Sequence, residues 1–252
     1  MIAHSFWFYW ISFFGLILGR YFLIAGSTHL FFYSLWRESF AKREVQLSVP
    51  LWLSIQRDIK LSILSAIVFA VGSALIMSAY DLGKTRLYGN IYEYGLWYLG
   101  VSYVAILLLQ DAYFYFTHRL LHHRYVFRWL HQGHHRSLQT TPWTSFAFDL
   151  PEAIVQSLFL MGIVFILPIH FVTLIAVLVS MTIWATIDHL DIDLLPTSFP
   201  HHWFGKWFIG PAHHSIHHHK YSKHYGLYFT FWDKMLGTQD SNYDCKVETK
   251  IC

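Results

Sequence analysis

The sequence predicts an all-α integral membrane protein: four to five membrane helices, a returning hairpin among them, beneath a cytosolic histidine-rich helical cap that holds a dimetal site. Three observations carry this reading. Of 252 residues, 55% are hydrophobic, 19% aromatic and only 13% charged, with a mean hydropathy of +0.36, too apolar for an ordinary soluble domain of this length. Several apolar runs reach the roughly 20 helical residues that a bilayer core requires. Of 18 histidines, only His4 and His29 precede His118, and the rest gather in runs interrupted at the spacing of helical turns.

The first apolar stretch runs from about Phe6 to Phe32, broken by Arg20 and His29. It has no basic leader and no small-residue cleavage site, so it reads as an uncleaved membrane helix and not as a signal peptide. Trp36 to Lys60 is polar, a loop followed by an amphipathic approach to the second span, Leu61 to Tyr80. After a short connection with Lys84 and Arg86, the third span, about Tyr94 to Phe116, runs directly into the first histidines and delivers His118 to a membrane surface. A turn is expected at Pro142 and a helix start near Pro151 and Glu152. Ala153 to Ile187 is too long for one crossing and is interrupted at Pro168, which fits a tight hairpin that returns the chain to its starting side. No internal repeat or low-complexity segment divides residues 1–252, and the chain reads as one domain, with only the tail beyond Gly237 loosely ordered.

Charge orients the spans. Arg119, Arg124, Arg128 and Arg136 lie in the 118–150 loop and Arg37, Lys42, Arg43, Arg57 and Lys60 in the 33–60 loop; the positive-inside tendency places both, with the C-terminal region, in the cytoplasm, and Lys84 and His170 opposite. The histidine clusters and His189 then meet on the cytoplasmic face. A net charge of +3 and the lack of a basic run interleaved with aromatics argue against nucleic acid as a partner. Cys245 and Cys252 form no CxxC and support neither a disulfide framework nor a thiolate metal site.

Residues three and four apart share a helix face. His118 with His122, His131 with His134 and His135, and His214 with His217 and His218 each aim several imidazoles at one spot, and His213 pairs with His217 across one turn. Neutral imidazole suits iron, zinc, copper or nickel, and a tetrahedral zinc is full with four ligands. The surplus argues for two metals. Asp111 lies seven residues before His118 on the same face, where a carboxylate inside an apolar span needs a partner; it is expected to accept a hydrogen bond from a ligating imidazole, as is Asp188 beside His189. His201 and His202 are as well placed for the surface as for a metal, and His219 and His224 are expected at the surface.

The strings HRLLHH, HQGHH and HHSIHH resemble the histidine boxes of the fatty acid hydroxylase and sterol desaturase superfamily of membrane di-iron oxygenases. The flanking text HHRSLQTTPWTSFAF, IWATIDHLDID and GPAHHSIHHHKYSKHYGLYFTFWDKMLGT is similar to its sterol C-5 desaturase branch; the likeness covers about residues 100–240. It implies iron ligands at His118, His122 or His123, His131, His134, His135, His189, His214, His217 and His218, with His213 either ligating or held behind the ligands. Two positions depart from the family pattern: Asp149 stands where histidine is usual before a proline, and Lys223 with His224 replaces an asparagine-like position before Tyr225 and Gly226.

What the resemblance implies chemically is oxygen-dependent oxidation of a lipid C–H bond, desaturation or hydroxylation of a sterol-like lipid, with dioxygen as co-substrate and two irons that zinc can replace during preparation. A fatty acyl, carotenoid or alkylglycerol hydroxylase is the alternative outcome, and a non-enzymatic metal-binding membrane protein the rival class. A metal transporter would carry histidines and carboxylates midway along its spans, and these spans are nearly free of them. The chain has no dinucleotide fingerprint, no haem-attachment motif and no cysteines for an iron–sulfur cluster, so electrons must come from a separate ferredoxin or cytochrome-type donor.

Overall fold

The computed structural model describes residues 4–40, 51–194, 202–241 and 243; His201, Cys245 and Cys252 lie outside them. The membrane part begins with α1 (Phe6–Leu30), capped by the Ser5 hydroxyl, which accepts the amide of Phe8. Its end loosens into a π turn, Phe31–Leu35, followed by the single turn α2 (Arg37–Phe40). Next comes α3 (Trp52–Asp81), 30 residues long and therefore about 45 Å, well beyond a bilayer core of about 30 Å. The amphipathic approach expected before Leu61 is thus the first part of the same helix. No proline or glycine interrupts it before Gly72, and nothing stops the helix from running out of the apolar layer with Arg57, Asp58 and Lys60 on it.

The third span is α4 (Leu96–Leu121), preceded by the two-residue strand β1 (Leu87–Tyr88). Two single turns, α5 (Phe127–Leu130) and α6 (Gln132–His135), and a 3₁₀ turn, Pro142–Phe146, carry the chain to α7 (Leu150–Ile166). Leu167 is extended (φ −105°, ψ 138°), as the residue before a proline prefers, so the helix ends there. After β2 (Ile169–His170), α8 (Phe171–Asp188) returns, its first turn capped by His170 Nδ1, which accepts the Val172 amide at 3.1 Å. The chain closes with α9 (Pro211–Lys220) and α10 (Phe231–Met235).

Four helical segments, Phe6–Leu35, Trp52–Asp81, Leu96–Leu121 and Phe171–Asp188, are long and apolar enough to cross a membrane, while α7 is a shorter apolar helix. Many large apolar side chains on these helices, Trp7, Ile11, Leu23, Trp97, Leu108 and Ile175 among them, face outward, as lipid-facing residues do. The protein is a multi-pass membrane protein.

The expected hairpin at Pro168 is present, but its arms are splayed: α7 packs mainly on α3 and α8 on α4. A β pairing that the sequence reading did not include pins its tip. β1 and β2 run parallel with Leu87 opposite Ile169 and Tyr88 opposite His170, and Leu87, Ile106, Ile163, Val164, Ile169 and Val177 form a core beneath them. This end of the bundle is opposite the ends of α4 and α8 that carry His118 and His189.

At the other end, polar bonds fasten the cap to the bundle. Buried Asp58 on α3 accepts the hydroxyls of Ser137 (2.6 and 2.8 Å) and Thr144 (2.7 Å), and Arg57 donates to Ser137 at 2.7 Å. Tyr21 on α1 donates to the Trp143 carbonyl at 2.9 Å, and Ser65 to that of Phe148 at 3.1 Å. Asp58→Ala leaves two buried hydroxyls without their acceptor, at about 1–3 kcal/mol for each orphaned group. Unfolding of the purified variant in detergent is expected to show a loss on the order of 2–6 kcal/mol; a midpoint equal to wild type would contradict this account of how the cap is held.

Candidate metal centre

Two groups of histidines meet where α4, α6, α8 and α9 converge: His118, His122, His131, His135 and His217 in one, His134, His189, His214 and His218 in the other. In each group the ligand-capable atoms lie within 4.8 Å of one another. The Nε2 atoms form chains of close approach. His131 Nε2 is 3.1 Å from those of both His118 and His135, and His217 Nε2 is 3.1 Å from that of His135. In the second group His189 Nε2 is 3.4 Å from that of His134 and 3.1 Å from that of His214, which is 3.1 Å from that of His218. Four nitrogens arranged tetrahedrally at bonds of about 2.1 Å from one ion stand about 3.4 Å apart. The groups adjoin, with 4.5 Å between the His135 and His218 ring centroids.

The opposite ring nitrogens show why the Nε2 atoms converge. His118 Nδ1 donates to the Tyr225 carbonyl at 3.0 Å, His134 Nδ1 to Ala147 at 3.2 Å, His189 Nδ1 to Ala185 at 2.7 Å and His217 Nδ1 to Lys223 at 2.7 Å. A ring that gives its one proton to a carbonyl presents a bare lone pair on the other nitrogen. His131 Nδ1 stands 2.7 Å from Glu152 Oε2, both side chains fully buried, which is the carboxylate–histidine arrangement that orients metal ligands. Burial holds these rings neutral. It pushes His134 down to about 3, helped by His189, and His189 down to about 4; His122 falls to about 2 through burial and the neighbouring His118. The donor set therefore fits metal ions.

Not every residue singled out from the sequence joins the two groups. His123 is exposed, its ring against Tyr125. One residue past the face that aligns His118 with His122, it points outward, so His122 and not His123 stands among the clustered imidazoles. His213 joins neither group. It is buried in a third group with His224 and Asp233, its ring centroid 3.7 Å from that of His224; His217, one turn further along α9, joins the first group, apart from His214 and His218. His224, expected at the surface, is buried completely. His202 and His219 are exposed.

Asp111 is corrected too. Its Oδ1 accepts no imidazole but the amides of Leu227 (3.3 Å), Tyr228 (2.7 Å) and Phe229 (3.1 Å). It shares a face with His118 as expected, yet that face meets the 225–229 segment, and Asp111 anchors the backbone whose Tyr225 carbonyl receives His118. Asp188 is buried with its Oδ1 lacking a partner; the His189 proton goes to the Ala185 carbonyl, so Asp188 does not orient it.

The sequence reading assigned Glu152 only to a helix start; an acidic residue in the first turn of an otherwise apolar helix was the available signal. Asp149 also acquires a task. Its Oδ2 accepts the Gly133 amide at 2.6 Å, and a Cβ at position 133 would fall 2.1 Å from Oδ1, so only glycine permits this contact between His131 and His134. The helical spacing of His131 with His134 and His135 is interrupted: two single turns meet at His131 (φ −145°), and His134 and His135 join different groups.

Residues 103–238, more than half of the chain, match the fatty acid hydroxylase family. The chain belongs to that family. Among curated proteins, it is 32% identical over 234 residues to the Delta(7)-sterol 5(6)-desaturase ERG3A of Gibberella zeae, an overlap of 91% of this chain and 60% of that protein. It is 31% identical to the lathosterol oxidase of Homo sapiens (73% of this chain, 60% of the other) and 30% identical to that of Mus musculus (88% and 72%). The chain spans about half to three fifths of the length of the fungal and human relatives. No solved structure matches it. The histidine clusters and the family together point to a metal site, with iron as the metal.

The depressed histidines give the metal-stripped protein a pH dependence. Their folded pKa values lie below the ordinary 6.5, so the unfolded chain takes up protons that the folded one refuses. Stability is therefore intact above pH 6.5 and is lost as pH falls through that value toward 4. Melting of chelator-treated protein is expected to drop steadily between pH 7 and 4; a flat profile would mean that these rings are not held neutral.

Proposed function

We propose that this chain is a membrane oxidoreductase that uses two irons and dioxygen to oxidise a C–H bond of a sterol-like lipid, by desaturation or hydroxylation. The observation that carries this reading is the junction between the two histidine groups and an apolar cavity of about 180 Å³ among α1, α3, α4, α7 and α8. Phe114 and Phe148 line the cavity and also lie against the site, Phe114 4.8 Å from the His118 ring and Phe148 stacked 5.6 Å from that of His134. A lipid entering between the splayed arms of the hairpin brings one carbon to the metals while the rest of it stays in the bilayer. The names of the relatives, Delta(7)-sterol 5(6)-desaturase and lathosterol oxidase, support a sterol-like substrate.

In this reading His118, His122, His131, His135 and His217 hold one iron and His134, His189, His214 and His218 the other. When bound, the irons supply the oxidising chemistry with dioxygen. The chain supplies position. Carbonyls 147, 185, 223 and 225 fix the tautomers of their histidines, Glu152 orients His131, and the phenylalanine wall keeps water from the reacting carbon. Electrons come from a separate ferredoxin or cytochrome-type donor. The arginine-rich 118–150 segment supports a cytoplasmic side for both groups, where such a donor reaches them, and in this reading residues 1–252 act as one domain.

Protein purified without chelator is expected to carry close to two metals per chain, and His135→Ala or His218→Ala to abolish oxidation of the lipid. One ion per chain at full occupancy would reject the two-iron reading, and activity in both variants would reject the enzyme reading. The substrate itself is found by comparing the lipids of a host with and without the protein. Glu152→Gln keeps a hydrogen-bond acceptor but loses the charge; metal affinity by chelator competition is expected to fall about 10–100-fold.

For the topology, single cysteines replacing Lys84, Arg136 and Lys220, with Cys245 and Cys252 changed to serine, are to be labelled with an impermeant reagent in sealed vesicles. Positions 136 and 220 should react together, on the cytoplasmic side, and position 84 from the opposite one; separation of 136 from 220 would exclude a shared site.

A further inference from the structure

The cavity carries a polar feature that holding the metals does not require. Arg20 sits in the fourth turn of α1, midway along a membrane span, and lines the cavity with Phe13, Leu16 and Ile17 of the same face. No carboxylate among the described residues pairs with it, and none lines the cavity. Its Nη1 makes one long bond to the Leu178 carbonyl at 3.4 Å, the guanidinium lies over the Phe146 ring at 5.7 Å, and its buried Nε has no partner. A guanidinium offers five N–H donors and no acceptor, and an unpaired one inside a bilayer is costly enough to mark a function. A second spare donor lies in the same wall, the buried Gln156 Nε2.

Four hydroxyls around them already donate. Ser145 donates to the Pro142 carbonyl, Ser157 to Ile154, Thr182 to Leu178, and the Tyr228 phenol to Gln110 Oε1. The buried donors left without a partner in this wall are Arg20 Nε and Gln156 Nε2.

We propose that Arg20, assisted by Gln156, is the specificity residue of the lipid site: it takes an oxygen acceptor, hydroxyl or carboxylate, borne by the otherwise apolar lipid, and so sets which carbon reaches the metals. This rests on the cavity being the lipid's place of entry. A purely hydrocarbon lipid would leave the guanidinium unpaired, and a site built around a hydrogen bond rejects the analogue that lacks it.

The test measures binding and turnover separately, on metal-loaded wild type, Arg20→Met, Arg20→Lys and Gln156→Leu, with three probes: lathosterol, its 3-deoxy analogue and palmitate. Wild type is expected to bind lathosterol or palmitate at least tenfold more tightly than the deoxy sterol, and the preferred probe identifies the acceptor as alcohol or carboxylate. In Arg20→Met that affinity is expected to fall at least tenfold and the preference over the deoxy sterol to vanish; Arg20→Lys keeps part of it, and Gln156→Leu weakens it several-fold. Should Arg20→Met fail to fold, Arg20→Lys and Gln156→Leu decide, and wild-type affinity in both overturns the proposal. So does an Arg20→Met protein with wild-type affinity and preference, equal binding of all three probes by wild type, or binding of neither oxygenated probe. Binding as expected without oxidation of any probe leaves Arg20 as the anchor and counts against the enzyme reading alone.

Discussion

Nine imidazoles share two small volumes, and this is tolerable only if the nitrogens facing inward carry no protons. Everything around the site serves that condition. Burial keeps the rings neutral, and carbonyls of three segments, at 147, 185 and 223 with 225, take the proton of four of the rings. The inward lone pairs then repel one another at about 3.1 Å, an arrangement that a cation between them converts from strain into binding. The backbone around the cap is in this sense part of the metal site, since it decides which nitrogen is bare.

The cap holds its shape because the membrane helices reach into it. α4 presents Asp111 and His118 on one face, the first gripping the amides of 227–229 and the second the carbonyl of 225, so a single helix sets both a ligand and the segment that orients it. α3 overshoots the bilayer and brings Asp58 to Ser137 and Thr144. α7 delivers Glu152 to His131 from its first turn, while Asp149 just before it holds Gly133. The same helices, by spreading at the hairpin, leave the apolar cavity whose wall includes Phe114 and Phe148, beside His118 and His134. Cavity shape and histidine placement therefore depend on one set of helix positions.

Much of the fold was legible in the sequence, because length and apolarity govern which segments enter a bilayer and a proline governs where a hairpin turns. The ends of the helices were less so. α3 begins nine residues earlier than its apolar run, since a helix continues until something stops it and polarity alone does not. The splay of α7 from α8 and the β1–β2 pairing were invisible, as each joins residues about 80 positions apart that carry no distinguishing pattern.

The candidate site divides in the same way. Turn spacing by itself determined that His118 and His122, and His214 and His218, face common points, because helical geometry is local. Spacing did not separate His134 from His135, nor His217 from His214 and His218, which serve different groups, nor assign His213 to a third group with His224 and Asp233. The first outcome goes with a break at His131, beside a contact between Gly133 and Asp149, sixteen residues apart; the others depend on which segments pack around α9. Asp111 shows the limit most plainly. Its face on α4 could be read from a count of seven, but whether that face met an imidazole or three backbone amides was decided by where the chain from 225 to 229 comes to rest, and a buried carboxylate accepts whichever donors the tertiary structure brings to it.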